Sequence, residues 1–100
     1  MSLALAGCGG GDSSEPAAPS SATVDIREFK YAPPTVRVAA GGTVTFTNRD
    51  RASHTATAKQ GFDTGRLKQG GSKPVRFEKA GRVDYICTFH PYMKGVVEVE

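Results

Sequence analysis

Residues 87–93 read CTFHPYM, so a cysteine, a histidine and a methionine recur at three-residue intervals. A thiol, an imidazole and a thioether are all polarizable donors. The chain has one other histidine, His54, in a polar stretch well upstream, and Met93 is its only methionine apart from Met1. Two imidazoles, one thiolate and one thioether form a selective set. Thiolate and thioether suit copper(I), imidazole accepts both copper oxidation states, and a trigonal His2Cys site with a weak axial Met supports one-electron chemistry. Zinc would take Cys87 and both histidines, but thioether is a poor fourth donor for it. A Cys87–His90 nucleophilic pair would leave His54 and Met93 idle, and no oxyanion loop accompanies it. The plainest alternative treats Cys87 as a small buried hydrophobe and Met93 as core filler.

Whether the donors can meet depends on the elements that carry them. From Thr23 onward the chain reads as short strands separated by turns, with no sustained helical period. TVDIREF alternates Val24 and Ile26 against Asp25 and Arg27, and the prolines of YAPP then break the pairing. TVRVA places Val36 and Val38 on one face; Gly41-Gly42 reads as a hairpin turn into TVTFTN, where Val44 and Phe46 point inward. HTATA is a candidate short strand, and KPVRF, RVDYIC and GVVEVE supply three more. Seven or eight short strands predict an all-β, antiparallel sandwich with Greek-key connections. In RVDYIC a period of two puts Val83, Tyr85 and Cys87 on the core face, with Cys87 at the end of its strand. His90 and Met93 follow in the turn back into GVVEVE, at the rim of the sandwich.

The segments GRVDYICTFHPYMKGVVEVE and VTFTNRDRASH together resemble the cupredoxin family, most closely its small amicyanin-like and plastocyanin-like members. The spacing C-x-x-H-x-x-M is similar to the short ligand loop of that subgroup. The resemblance covers nearly all of residues 23–100. It implies a cupredoxin sandwich holding one mononuclear type 1 copper, with His54, Cys87 and His90 in the trigonal plane and Met93 on the axis. The implied role is one-electron transfer between redox partner proteins, not enzymatic turnover; extracytoplasmic copper delivery is the alternative. It further implies that His90 lies at the surface within an apolar docking patch drawn from Phe89, Pro91, Tyr92, Pro33 and Pro34. Asn48 and Thr55 stand beside the ligands. Two positions depart from the family pattern: Thr55 stands where Asn commonly follows the first ligand histidine, and Phe89 stands where proline often precedes the second. Thr lacks the second donor and the reach of an amide.

The first 22 residues differ in kind. GCGGGDSSEPAAPSSA has almost nothing to bury and reads as a flexible tether. Before it, LAGC resembles the lipobox of bacterial lipoproteins, which makes Cys8 a candidate lipidation site. That tail placement disfavours a Cys8–Cys87 disulfide. The expectation is an extracytoplasmic monomer held at a membrane by a lipid anchor alone, since no apolar run approaches the ~20 residues of a span. Charge is divided: the tail carries −2 and residues 23–100 carry +5. Scattered single cations argue against nucleic acid and suit acidic partner surfaces.

Overall fold

The computed structural model describes residues 17–100; Cys8 and most of the tether fall outside the described residues. Seven strands form two facing sheets: β1 (Ser21–Arg27), β2 (Lys30–Ala32), β3 (Thr35–Val38), β4 (Gly42–Asn48), β5 (Ser72–Phe77), β6 (Gly81–Ile86) and β7 (Lys94–Val99). One sheet has the order β2-β1-β4-β5 and the other β3-β7-β6. The all-β sandwich expected from the alternating pattern is present. Its pairing is mixed, however, because β1 runs parallel to β4 and β3 parallel to β7. A period of two reveals which face is buried but not the direction of a neighbour.

Alternation explains the layers. Val24 and Ile26 of β1, Val44 and Phe46 of β4, Val36 and Val38 of β3, and Val97 and Val99 of β7 are buried between the sheets. Tyr85 fills the middle, with its ring edge-on to Tyr31 at 4.6 Å and to Phe46 at 5.4 Å between centroids. Gly95 makes room for it: a Cβ there would run into the Tyr85 ring. Pro74 is tolerated because β5 is an edge strand.

Three local expectations are corrected. Gly41-Gly42 is not a hairpin turn, since β3 and β4 lie in different sheets and the glycines carry the chain between them. At Gly42 a Cβ would lie 2.6 Å from the Ser20 carbonyl oxygen, so the crossover requires the missing side chain. HTATA forms only isolated bridges, His54 to Leu67 and Thr57 to both Asp63 and Ile86, because this stretch spans the gap between sheets. The stretch from TVDIREF to YAPP hides a tight hairpin. Arg27 pairs with Lys30, while Glu28 and Phe29 turn the chain at φ of 53° and 58°. Such turns favour Asn-Gly, and Glu-Phe gives no signal of one. β1 opens at Ser21, two residues ahead of Thr23.

Strand direction fixes the site. The C-terminal ends of β1, β4 and β6 and the N-terminal ends of β2, β3 and β7 gather at one pole, and the donors lie there.

Candidate metal centre

Cys87 follows β6 directly and is fully buried. The loop after it closes through its own backbone: the N–H of His90 donates to the Cys87 carbonyl at 3.2 Å, that of Met93 to the His90 carbonyl at 2.9 Å, and that of Cys87 to the Met93 carbonyl at 3.3 Å. Three-residue spacing is therefore what successive turns of the chain require, and it holds Cys87, His90 and Met93 together. Met93 is buried and His90 is half-exposed.

His54 approaches from the opposite sheet and is entirely buried. Its backbone exchanges two hydrogen bonds with Leu67, at 3.1 and 2.7 Å. Asn48, also fully buried, braces the loop before it. Its amide donates to the carbonyls of Ala52 and Leu67, each at 2.8 Å, and its Oδ1 accepts from the Asp50 N–H at 2.9 Å. His54 Nε2 lies 2.9 Å from Asp50 Oδ2, a bond that places the proton on Nε2 and leaves Nδ1 facing inward with its lone pair. The Asp50 carboxylate also accepts from the N–H groups of Glu28, at 2.7 Å, and Phe29, at 2.9 Å. Partial burial by itself would raise the Asp50 carboxyl; the Phe29 and Glu28 amides and the His54 ring outweigh it and hold the group below its ordinary 3.8.

The donor atoms converge. His54 Nδ1 lies 3.7 Å and His90 Nδ1 3.6 Å from Cys87 Sγ, and the three lie within 4.8 Å of one another. One thiol proton cannot serve two imidazoles, so a shared S–H hydrogen bond does not account for both approaches. A metal does. Bonds of about 2.0 Å to nitrogen and about 2.3 Å to sulfur, meeting near 120°, separate the donor atoms by ~3.7 Å. The imidazole and thiolate donors therefore fit a trigonal metal ion, and the thioether of Met93 in the same loop favours copper over zinc.

Thr55 replaces the bridging amide by other means. Its N–H donates to Cys87 Sγ at 3.3 Å, and its Oγ1 accepts from the Thr88 N–H at 2.9 Å and from the Thr57 hydroxyl at 3.0 Å. The two ligand loops are thus tied across the thiolate. Tyr31 locks the same residue from the other side, its hydroxyl donating to the Thr55 carbonyl. Burial, then the neighbouring Cys87 and Tyr85, push the Tyr31 phenol far above its usual range.

A family model for copper binding proteins, plastocyanin/azurin family, matches residues 18–100. The chain belongs to that cupredoxin family. Amicyanin-alpha of Methylorubrum extorquens is 39% identical over 90 residues, covering 83% of this chain and 76% of that relative. Amicyanin of Paracoccus denitrificans is 36% identical over 83 residues, 77% of this chain and 63% of that one. Among solved structures, a reduced Cu(I) form of an amicyanin variant superimposes with a TM-score of 0.76 at 34% identity, covering 84% of this cupredoxin and 86% of that chain. A purple cupredoxin from Nitrosopumilus maritimus gives 0.74 at 29% identity, over 79% and 99% of the two chains.

Around His90 the surface is apolar. The three large hydrophobic side chains exposed among the described residues, Phe29, Phe89 and Tyr92, all lie at this pole. Pro33, Pro34 and Pro91 are exposed there too. The Phe29 ring stands edge-on to both His54 and His90, 4.9 Å from each. Phe29 and Asp50 are the site residues that sequence reasoning missed. The available signal for Asp50 was a carboxylate four residues before a ligand histidine; Phe29 had none, because its turn is unmarked.

Proposed function

We propose that this cupredoxin is a one-electron carrier between redox partner proteins, with His54, Cys87, His90 and Met93 holding one copper ion. The observation that carries the reading is the equal approach of two imidazole nitrogens to one buried sulfur. Bound copper supplies the one-electron couple between its two oxidation states. The chain's own residues do the rest. Cys87, His90 and Met93 are fixed by backbone hydrogen bonds, and His54 by Asp50 and Leu67, so the donors stand in place without a metal to gather them. Little rearrangement then accompanies a change of charge at the centre. The Thr55 N–H stabilises the thiolate, and the buried His54 keeps water from that side. His90 is the half-exposed ligand, so its ring is the short route between the centre and a partner seated against Phe29, Phe89 and Tyr92.

Addition of copper(II) to the purified domain is expected to give an intense visible thiolate-to-copper band, absent in Cys87→Ser, and reversible one-electron voltammetry. A coloured protein that exchanges electrons slowly and gives up copper readily would favour metal delivery instead. We further propose an extracytoplasmic monomer anchored through Cys8; the LAGC sequence and the tether composition support this placement. Mass analysis of the membrane-extracted protein tests it, and an unmodified Cys8 thiol would refute it.

A further inference from the structure

Of the 13 lysines and arginines, seven share the metal-bearing end of the molecule. Arg27, Lys30, Arg49, Arg51, Arg66, Lys68 and Lys94 all lie on strand ends or loops of the metal-bearing pole. The acids there are few and mostly engaged. Asp25 pairs with Arg27 and with Arg49, and Asp50 is turned onto His54 and two backbone amides. Glu28, on the hairpin tip, is the exception. Among the described residues, Lys30, Arg51, Arg66, Lys68 and Lys94 have no carboxylate within ion-pair distance. Elsewhere among the described residues, Arg37, Arg76 and Arg82 are each answered, by Glu100, Glu78 and Asp84, while Lys59, Lys73 and Lys79 form no ion pair.

These free cations frame an apolar centre. On one side, Arg66 borders Phe89 and His90. On the other, a groove of about 690 Å³ runs between the β1–β2 hairpin and the Tyr92–Lys94 turn. Its walls are Phe29, Tyr31, Pro33, Pro34 and Tyr92; the unpaired Lys30 and Lys94 lie at its edges, together with Arg27, which Asp25 answers, and the one acid, Glu28. An apolar floor supplies contact area, while the predominantly positive rim, desolvated little, acts on approach and orientation.

We infer that the His90 face docks an acidic redox partner protein, one whose carboxylates ring an apolar contact that seats against the groove and the His90 edge. The inference rests on the electron-carrier reading and adds the chemistry of the partner.

Copper-loaded protein can be mixed in stopped flow with two probes of one fold and opposite charge, native cytochrome c (cationic) and succinylated cytochrome c (anionic). At low salt the anionic probe is expected to exchange electrons at least about tenfold faster, an advantage that fades as salt shortens the screening length. Arg66→Glu and Lys94→Glu should each slow the anionic probe severalfold. Lys79→Glu, an identical change of net charge at the far pole, should leave its rate within about twofold. Equal slowing by all three would show that net charge alone is felt and would overturn the inference, as would a faster reaction with the cationic probe. No exchange with either probe at any salt would overturn the electron-carrier reading and this inference with it. Exchange with both probes at similar rates would remove only the inference.

Discussion

Replacing Asp50 tests whether the ligand His54 and the Phe29 hairpin are held by one group. In Asp50→Ala, three hydrogen bonds disappear together, from the N–H groups of Glu28 and Phe29 and from His54 Nε2. The two turn amides are near solvent, and water can replace their partner, so each loss is set at the low end, about 1 kcal/mol. His54 is fully buried, and its orphaned Nε2–H costs about 1–3 kcal/mol. Against this, the turn can relax from two consecutive left-handed non-glycine residues, which store about 1 kcal/mol apiece. The net expectation is a destabilisation of about 1–3 kcal/mol, measured on apo-protein by denaturant unfolding at pH 7. Asp50→Asn, which keeps one acceptor, should lose about half as much. Because the folded carboxyl titrates below its ordinary value, its contribution is present above that value and is lost as the pH falls through the depressed one. The wild type should therefore converge on Asp50→Ala in acid. The Phe29 ring protons, expected to be shifted by the two histidine rings beside them, report the hairpin independently. If Asp50→Ala unfolds within about 0.5 kcal/mol of wild type at neutral pH, or keeps the Phe29 signal unchanged, the clamp is refuted.

Other perturbations probe separate contacts. Thr55→Ala removes the tie to the Thr88 N–H and should lower apo-protein stability by about 1–2 kcal/mol, whereas Thr55→Ser, which keeps the hydroxyl, should stay close to wild type in the same unfolding curves. Gly95→Ala drives a methyl into the Tyr85 ring and should destabilise by about 3 kcal/mol or more, read as a fall in melting temperature; an unchanged value would mean that the ring has somewhere else to go. Glu28→Asn combined with Phe29→Gly relieves the left-handed turn and should raise apo-protein stability by about 1 kcal/mol while altering the visible spectrum through loss of the Phe29 contact.

The sequence made the ligand set readable because ligation demands particular atoms. Cys87, His90 and Met93 could be placed from a strand period and a turn, and the inward faces of β1, β3 and β4 followed from alternation alone. What escaped were features that alternation does not encode. The parallel pairings depend on long connections, not on residue type. The Glu28–Phe29 turn uses residues that disfavour its geometry, so propensity pointed elsewhere, and tertiary bonds from Asp50 override it. Thr55 looked like a loss beside the usual amide; in the fold, a backbone donor and a shorter side chain span the same gap because Thr88 comes close enough to meet it.

β1 begins among residues at the end of the sandwich remote from the donors, where the Pro19 and Ser20 carbonyls accept from Ala39 and Thr43. Glu100 lies there as well, bonded to Val38 and Ala40. Both points of attachment are thus on the base of the molecule. Any fusion, immobilising linker or electrode coupling joined at either of them stands about one strand length, ~20 Å, behind the working surface and leaves it free to meet what arrives in front.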